Sequence, residues 1–218
     1  MTQLDDDPHQ NRPVLTAGAP LAEASGAVIM IHGRGAGAAD ILGLAEAFER
    51  PQLAYFAPDA AGRVWYPNPF MTPVADNQPW LASALAVVDR LVRAAEEAGI
   101  APRYIALAGF SQGACLALEY AARNPRRYGA VLAFSGGLIG ETIAAGDYSG
   151  SLDGTPVFIG CSDVDPFIPL DRVLQSSAIM KTLGAGVIER IYPGAGHTVL
   201  ADEVEQARRL LDGMTAAA

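Results

Sequence analysis

The chain has 218 residues, of which 50% are hydrophobic, and its formal net charge at pH 7 is −9. This length and this apolar content are enough for one well-buried core. The negative charge argues against nucleic acid and anionic membrane surfaces as partners. The longest apolar runs reach only the length of a strand or a core helix, which argues against integral membrane association.

Residues 1–25 come before the regular pattern of the chain, and we expect an N-terminal tail there with at most an edge strand. Residues 1–7 are acidic and carry neither the basic nor the apolar region of a secretory signal, so a cytoplasmic protein is expected. His9 falls in this tail. Without a secretory signal, Cys115 and Cys161 are expected to be buried and reduced.

From residue 26 onward, segments typical of strands and helices alternate. Short continuous apolar runs predict strands, and longer segments with one apolar face predict helices. The predicted strands are 27–31, 53–57, 104–108, 130–134, 156–160 and 187–191, and the predicted helices are 80–98, 114–123, 170–183 and 200–214. This alternation indicates an α/β fold with a mainly parallel, doubly wound sheet and helices on both faces.

A glycine-flanked serine lies between the strand at 104–108 and the helix that follows it. The segment is Gly109-Phe110-Ser111-Gln112-Gly113. A strand that turns into a helix through one serine strains the backbone of that serine, and only small residues fit two positions away on either side. The turn presents the hydroxyl at the sheet edge, where a substrate carbonyl can reach it. Ser111 is therefore the candidate nucleophile of a serine hydrolase.

A serine nucleophile needs a base, and the chain has three histidines. His9 lies in the tail, and His32 follows the first predicted strand and precedes a glycine-rich turn. His197 lies between the last strand and the last helix. Because loops at the carboxyl ends of parallel strands converge, Ser111 and His197 are expected to meet. His197 is the predicted base, and His32 is expected to brace its loop through hydrogen bonds.

An acid that orients the base should come between the serine and the histidine in chain order. Two aspartates, Asp163 and Asp165, follow the predicted strand at 156–160. Asp165 precedes a proline, which favours an extended or turn conformation over the strand ends. Asp163 suits a role in bracing the loop. From these residues both aspartates stay candidates for the acid, and the proline favours Asp165.

Two backbone amides would hold the negative charge that develops on a substrate carbonyl oxygen. The residue after the nucleophile, Gln112, supplies one of them. The second is expected from the loop after the first core strand, which reads His32-Gly33-Arg34-Gly35-Ala36-Gly37. The amides of Arg34 and Gln112 are therefore the predicted oxyanion hole.

With these residues assembled, the chain resembles the phospholipase/carboxylesterase family of α/β-hydrolases, which includes acyl-protein thioesterases. The resemblance spans residues 28–211. It is carried by His32-Gly33, Gly109-Phe110-Ser111-Gln112-Gly113-Ala114, Ser135-Gly136-Gly137, Asp165-Pro166 with Ile168-Pro169, and Gly196-His197.

The resemblance implies an α/β-hydrolase fold with little or no cap, and a single catalytic domain at 26–218. It implies Ser111 as nucleophile, Asp165 as acid and His197 as base. It also implies a small-molecule ester or thioester substrate with a short-to-medium acyl group, an apolar groove, and no cofactor or metal. The resemblance leaves the oligomeric state open, and a homodimer is one of the alternatives.

Two features bear on the substrate. Better-known thioesterase-like members carry an apolar residue where this chain has Arg34, whose side chain would contact a substrate carboxylate or pair with an acidic neighbour. The second feature is the loop at 59–79, which is irregular because it contains four prolines. Its candidates for the wall of an acyl pocket are Trp65, Tyr66, Phe70 and Met71, although packing the loop onto the sheet is an equal alternative.

Two rival functions come from other classes of protein. The turn at Gly33-Arg34-Gly35-Ala36 with Ala38 is also a relaxed dinucleotide fingerprint, which would suit a nicotinamide-dependent oxidoreductase. That hypothesis leaves Ser111, Asp165 and His197 without a role. The other rival is a catalytically silent hydrolase fold that serves as a binding protein.

Overall fold

A computed structural model describes residues 7–214 of the chain. Within these residues, seven strands form one sheet and five α-helices surround it. The strands are β1 (Val14–Gly18), β2 (Gly26–Ile31), β3 (Leu53–Pro58), β4 (Ile105–Phe110), β5 (Ala130–Phe134), β6 (Pro156–Ser162) and β7 (Gly186–Tyr192). The helices are α1 (Ala38–Phe48), α2 (Trp80–Glu97), α3 (Gln112–Arg123), α4 (Leu170–Thr182) and α5 (Ala201–Asp212).

The sheet is parallel except at one edge. Its strand order is β1-β3-β2-β4-β5-β6-β7, and β1 runs antiparallel to its neighbour β3. Because the other strands are parallel, their carboxyl ends lie at the same end of the sheet. The loops that follow β2, β4, β6 and β7 therefore lie close together there. The predicted mainly parallel sheet with helices on both faces is confirmed.

The central strands are apolar throughout because helices cover both faces of the sheet. In β2, Ile29 and Ile31 pack in the layer that contains α2, α3 and α4, whereas Val28 and Met30 pack in the layer of α1 and α5. Successive side chains of a strand point to opposite faces, so each face of β2 needs its own apolar set. This double burial explains why the sequence shows continuous apolar runs rather than alternation.

Helix α1 is missing from the helices predicted above. It buries four apolar side chains at the helical spacing i, i+3, i+7, i+10, namely Ala38, Ile41, Ala45 and Phe48. The sequence signal is weak because Gly43 interrupts this pattern with the low helix propensity of glycine. Its first amide, on Ala38, donates a hydrogen bond of 2.7 Å to Oδ1 of Asp59. That carboxylate lies beyond β3, whereas the local cap at the start of the helix is Oδ2 of Asp40, which accepts the Gly37 amide at 2.8 Å.

From residue 7 onward the N-terminal segment packs onto the rest of the protein, so the prediction that His9 lies in a tail is wrong. The His9 side chain is buried. Its Nδ1 accepts a hydrogen bond of 3.0 Å from the Ala61 amide, and its Nε2 donates one of 2.9 Å to the Trp65 carbonyl. The ring also makes edge contacts with Trp65 and Trp80. The acidic residues 1–6 lie outside the described part of the chain.

The loop at 59–79 is irregular apart from two short 3-10 turns, Ala61–Arg63 and Val74–Asn77. Its start is held by His9 from the N-terminal segment and by His32 at the end of β2. Among residues 7–214, no helix is long and apolar enough to cross a membrane.

Candidate active site

Ser111 lies at the turn between β4 and α3. Its backbone angles are φ 56° and ψ −119°, a conformation that residues with a Cβ rarely adopt. The Ser111 amide donates a hydrogen bond of 2.9 Å to the Phe134 carbonyl, and its carbonyl accepts one of 3.0 Å from the Cys115 amide. The strained turn is therefore held from both sides, by β5 and by the first turn of α3.

The two glycines around Ser111 are required by close backbone contacts. A Cβ on Gly109 would lie 2.3 Å from the carbonyl carbon of Gly113. A Cβ on Gly113 would lie 2.0 Å from the carbonyl oxygen of Ile31, at the end of β2. Both distances are far below van der Waals contact, so the sharp turn and the close approach of α3 to the sheet depend on these glycines.

Gly113→Ala is expected to destabilise the fold by about 2–4 kcal/mol, because the new methyl group meets rigid backbone of β2 rather than a movable side chain. The measurement is urea unfolding followed by circular dichroism. Gly43→Ala is the matched control, since a Cβ there meets nothing within 4 Å and the position is an exposed helix interior. We expect that control to gain up to about 1 kcal/mol. Equal midpoints for the two variants would contradict the steric argument.

The side chains of His197 and Asp165 form a hydrogen-bonded pair. Nδ1 of His197 donates to Oδ2 of Asp165 at 2.7 Å. The Asp165 side chain is fully buried, and that of His197 is 15% exposed. The other carboxylate oxygen, Oδ1, accepts the amides of Phe167 and Ile168 at 2.9 and 3.0 Å. The carboxylate is therefore fixed by its own loop and holds the imidazole in one orientation.

The protonation of Asp165 follows from these contacts. Burial alone would raise the pKa of the carboxyl, but the hydrogen bonds from His197, Phe167 and Ile168 outweigh burial and lower it. Sγ of Cys161 lies 3.7 Å from Oδ2. Burial, reinforced by the charge of Asp165, raises the pKa of Cys161 to about 12, so the thiol keeps its proton and acts as a weak donor.

The neighbouring aspartate, Asp163, makes a different contact. Its Oδ1 accepts the amide of Gly194 at 2.8 Å, and Oγ of Ser162 accepts the amide of Gly196 at 3.1 Å. These bonds tie the loop after β6 to the loop after β7, which carries His197. Asp163 thus braces the loop, and its carboxylate does not pair with the imidazole.

The imidazole of His197 is flanked by two aromatic rings. The ring centroids of Phe110 and Phe167 lie 4.8 and 4.9 Å from its own. Phe167 is 65% exposed, which is unusual for so large an apolar side chain. These two phenylalanines were not singled out in the sequence, although each stands next to a predicted site residue or motif.

Arg34 and Gln112, whose amides are the predicted oxyanion donors, line the same cavity as Ser111. Neither amide donates a hydrogen bond to another group within the part of the chain that the structure describes. The loop of Arg34 packs directly onto the nucleophile, because a Cβ on Gly33 would lie 3.3 Å from Cβ of Ser111. Gly33, which is also the first glycine of the relaxed dinucleotide fingerprint, therefore allows the loop to approach Ser111 closely.

The side chain of Arg34 does not make the ion pair with an acidic neighbour that was one of the two alternatives from sequence. Its guanidinium donates to the backbone carbonyls of Tyr66, Pro67 and Asn68 at 2.7, 3.0 and 3.1 Å. No ion pair between Arg34 and an acidic side chain occurs among residues 7–214. The expected acidic partner is replaced by three carbonyl oxygens of the proline-rich loop.

His32 braces its loop as a neutral ring. Its Nε2 accepts the amide of Ala60 at 3.1 Å, so Nδ1 carries the proton and donates to the carbonyl of Gly33 at 2.8 Å. His9 does the same for the next amide, that of Ala61. Burial lowers the pKa of both histidines from 6.5. Protonation of either ring would set an N–H against a backbone N–H.

These two histidines predict a loss of stability in mild acid. Since the pKa of each is lower in the folded than in the unfolded protein, their contribution is complete above about pH 6.5 and falls as the pH drops below it. Two extra protons in the unfolded state give a slope of at most about 2.7 kcal/mol per pH unit. Urea midpoints between pH 5 and 8 measure it. The carboxyl of Glu203, whose pKa burial raises to about 7, opposes this slope below pH 7, so the histidine contribution is read from a variant. Replacing His9 with glutamine should flatten the histidine slope, and an unchanged slope in that variant would contradict the argument.

A cavity of about 540 Å³ opens beside the nucleophile. Its lining includes Ser111, Gln112, His197 and the apolar side chains Tyr66, Pro67, Pro69, Phe70, Phe110, Phe167 and Ile168. Of the residues predicted to form the wall, Tyr66 and Phe70 line this cavity. Trp65 is buried behind it and donates from Nε1 to the carbonyl of His32 at 2.9 Å, while Met71 packs against the core. Within residues 7–214, no group of three or more His, Cys, Asp or Glu side chains is arranged to share a metal ion.

Solved structures resemble this chain over nearly its whole length. A phospholipase/carboxylesterase from Dyadobacter fermentans is 45% identical and superposes with a TM-score of 0.89, over 92% of this chain and 96% of its own. The Bacillus cereus carboxylesterase has a TM-score of 0.71 over 97% of this chain and 100% of its own. At 17% identity, the second supports the fold alone.

Curated relatives and a family model give the same family. Acyl-protein thioesterase 1 of Gibberella zeae is 31% identical over 125 residues, which cover 56% of this chain and 52% of that protein. Its Saccharomyces cerevisiae counterpart is 29% identical over 127 residues, covering 56% and 55%. The matched segment thus spans about half the length of these relatives. The model described as phospholipase/carboxylesterase matches residues 16–214, and the chain therefore belongs to the phospholipase/carboxylesterase family.

Proposed function

We propose that the protein is a serine carboxylesterase that hydrolyses short-to-medium acyl esters or thioesters through an acyl-enzyme. The observation that carries the proposal is that Ser111 and His197 line one cavity while Asp165 holds His197 by a hydrogen bond of 2.7 Å. A strained serine and an oriented imidazole at one apolar pocket form the constellation that acyl transfer needs. One catalytic domain carries this chemistry, with β1 added at its edge.

The reaction proceeds in two acyl-transfer steps. With Nδ1 bound to Asp165, Nε2 of His197 takes the Ser111 proton as the hydroxyl attacks the substrate carbonyl. The amides of Arg34 and Gln112 hold the oxyanion. Collapse of the tetrahedral intermediate expels the alcohol or thiol, which receives the proton from His197. Water, deprotonated by the same imidazole, then attacks the acyl-enzyme and frees the acid.

The pocket favours an uncharged acyl group. Its wall consists mainly of aromatic, proline and isoleucine side chains, and the guanidinium of Arg34 is already bound to three carbonyls. A carboxylate placed there would lose part of its hydration, and the N–H groups of Arg34 that bind the loop carbonyls would not be available to replace it. A volume of about 540 Å³ suits a small ligand or a medium acyl chain. The curated relatives are named acyl-protein thioesterases, so thioesters belong among the substrates to be tested.

Hydrolysis of p-nitrophenyl acetate, butyrate and octanoate by the purified protein tests this function, with a butyryl thioester as the matched substrate. Covalent labelling by a fluorophosphonate probe reports the nucleophile independently of the acyl group. We expect turnover and labelling, with a rate maximum at short-to-medium chain length. Absence of both would favour a catalytically silent binding protein, and a fluorescence change on titration with NADH would favour the oxidoreductase hypothesis.

A further inference from the structure

The two residues proposed to supply the oxyanion amides, Arg34 and Gln112, also bind the same stretch of loop through their side chains. The guanidinium of Arg34 donates to the carbonyls of residues 66, 67 and 68. The carboxamide of Gln112 accepts the Trp65 amide at 2.8 Å and donates to the Tyr66 carbonyl at 2.9 Å. The Tyr66 oxygen therefore receives a hydrogen bond from each of the two side chains and joins them.

Outside these two side chains, the backbone of this stretch is bonded at its two ends, where Nε2 of His9 donates to the Trp65 carbonyl at 2.9 Å and the Asn68 amide donates to Oδ1 of Asn77 at 2.9 Å. Pro67 and Pro69 have no amide to donate, and no strand or helix includes residues 65–69. A further bond to the oxyanion loop comes from Trp65, whose indole donates to the carbonyl of His32 at 2.9 Å. Residues 65–68 are thus connected to both residues that carry the proposed oxyanion amides, and Tyr66 and Pro67 among them line the acyl pocket.

We propose that Arg34 is a positioning residue whose guanidinium, with the Gln112 carboxamide, clamps residues 65–68 and thereby fixes the oxyanion amides relative to the acyl pocket. This proposal rests on the proposed esterase function. The planar fork of arginine suits the role because it presents several donors in fixed directions to successive carbonyls. A lysine carries one compact ammonium and cannot span three carbonyls in the same geometry.

The first test measures the loop itself and needs no activity. In the Arg34→Leu variant, we expect faster hydrogen–deuterium exchange in the peptide that contains residues 65–68, whose Trp65 and Asn68 amides are hydrogen-bonded. Arg127→Leu is the matched control, since that exposed arginine donates to one loop carbonyl, of Asp153, away from the site. Unchanged exchange at 65–68 in Arg34→Leu would overturn the proposal.

The second test measures catalysis. A small displacement of an oxyanion donor lowers kcat by about 10–100-fold, and we expect this loss for Arg34→Leu with a smaller change in KM. The loss should be equal for p-nitrophenyl butyrate and for the anionic hemisuccinate ester, and Arg34→Lys should recover little of it. A loss confined to the hemisuccinate would show that Arg34 binds a substrate carboxylate instead. Full recovery by lysine would show that charge alone matters, and either result would overturn the clamp.

The two tests separate failure of the clamp from failure of the enzyme. If the wild-type protein neither turns over esters nor reacts with a fluorophosphonate, the esterase function is rejected. The catalytic part of the clamp proposal is then rejected as well. The exchange measurement then still decides whether Arg34 holds the loop. If the loop loosens while kcat stays at the wild-type value, the link between clamp and oxyanion hole is rejected.

Discussion

Ser111→Ala is expected to abolish fluorophosphonate labelling and to lower kcat for p-nitrophenyl butyrate by about 10⁴–10⁶-fold. The proposed mechanism offers no second nucleophile, since Cys115 beside the pocket is buried and its pKa is raised to about 12. Burial therefore keeps that thiol protonated and unreactive. The rate left in the variant would come from the oxyanion amides and from substrate binding alone.

We expect Ser111→Ala to lose activity without losing stability, so that the lost activity cannot be attributed to unfolding. The Ser111 side chain makes no capping hydrogen bond to α3, so its removal leaves the backbone contacts of the turn in place. Ser25→Ala is the control, because Ser25 lies before β2, at the end of the sheet away from Ser111, where its hydroxyl donates to the Gln52 carbonyl. We expect thermal midpoints close to wild type for both variants. Labelling that persists in Ser111→Ala would contradict the assignment of the nucleophile.

The parts of the fold that sequence predicts well are those determined locally. The apolar run at 27–31 and the helix at 80–98 recur in the structure as β2 (Gly26–Ile31) and α2 (Trp80–Glu97). At the turn between β4 and α3, only small residues fit on either side of Ser111. The glycine-flanked serine could therefore be recognised from the sequence.

What the sequence could not supply depends on distant contacts. The His9 side chain is buried because it meets Ala61 and Trp65, more than 50 residues away. Nothing local distinguishes such a histidine from one in a flexible tail. The Arg34 side chain was expected to meet a carboxylate because a cation usually pairs with an anion. Its three carbonyl acceptors exist only once the proline-rich loop has folded over it.

The choice between Asp165 and Asp163 also depends on contacts with residues distant in the sequence, and a matched pair of variants tests it. Both lie in one loop, and each change to asparagine removes one negative charge. In Asp165→Asn, a single oxygen must replace two that accept from His197 Nδ1 and from the amides of Phe167 and Ile168. The new NH₂ group then faces either the imidazole or two backbone donors. Either arrangement removes the acceptor that holds the productive tautomer.

We therefore expect kcat of Asp165→Asn to fall by about 10³–10⁴-fold, whereas Asp163→Asn should stay close to wild type. Asparagine at 163 keeps a carbonyl oxygen that can still accept the amide of Gly194. Steady-state kinetics with p-nitrophenyl butyrate measure both, and urea midpoints confirm that both variants fold. The opposite pattern, with the large loss at Asp163, would mean that the imidazole takes its partner from the other aspartate during turnover. It would reject the pairing on which the proposed mechanism rests.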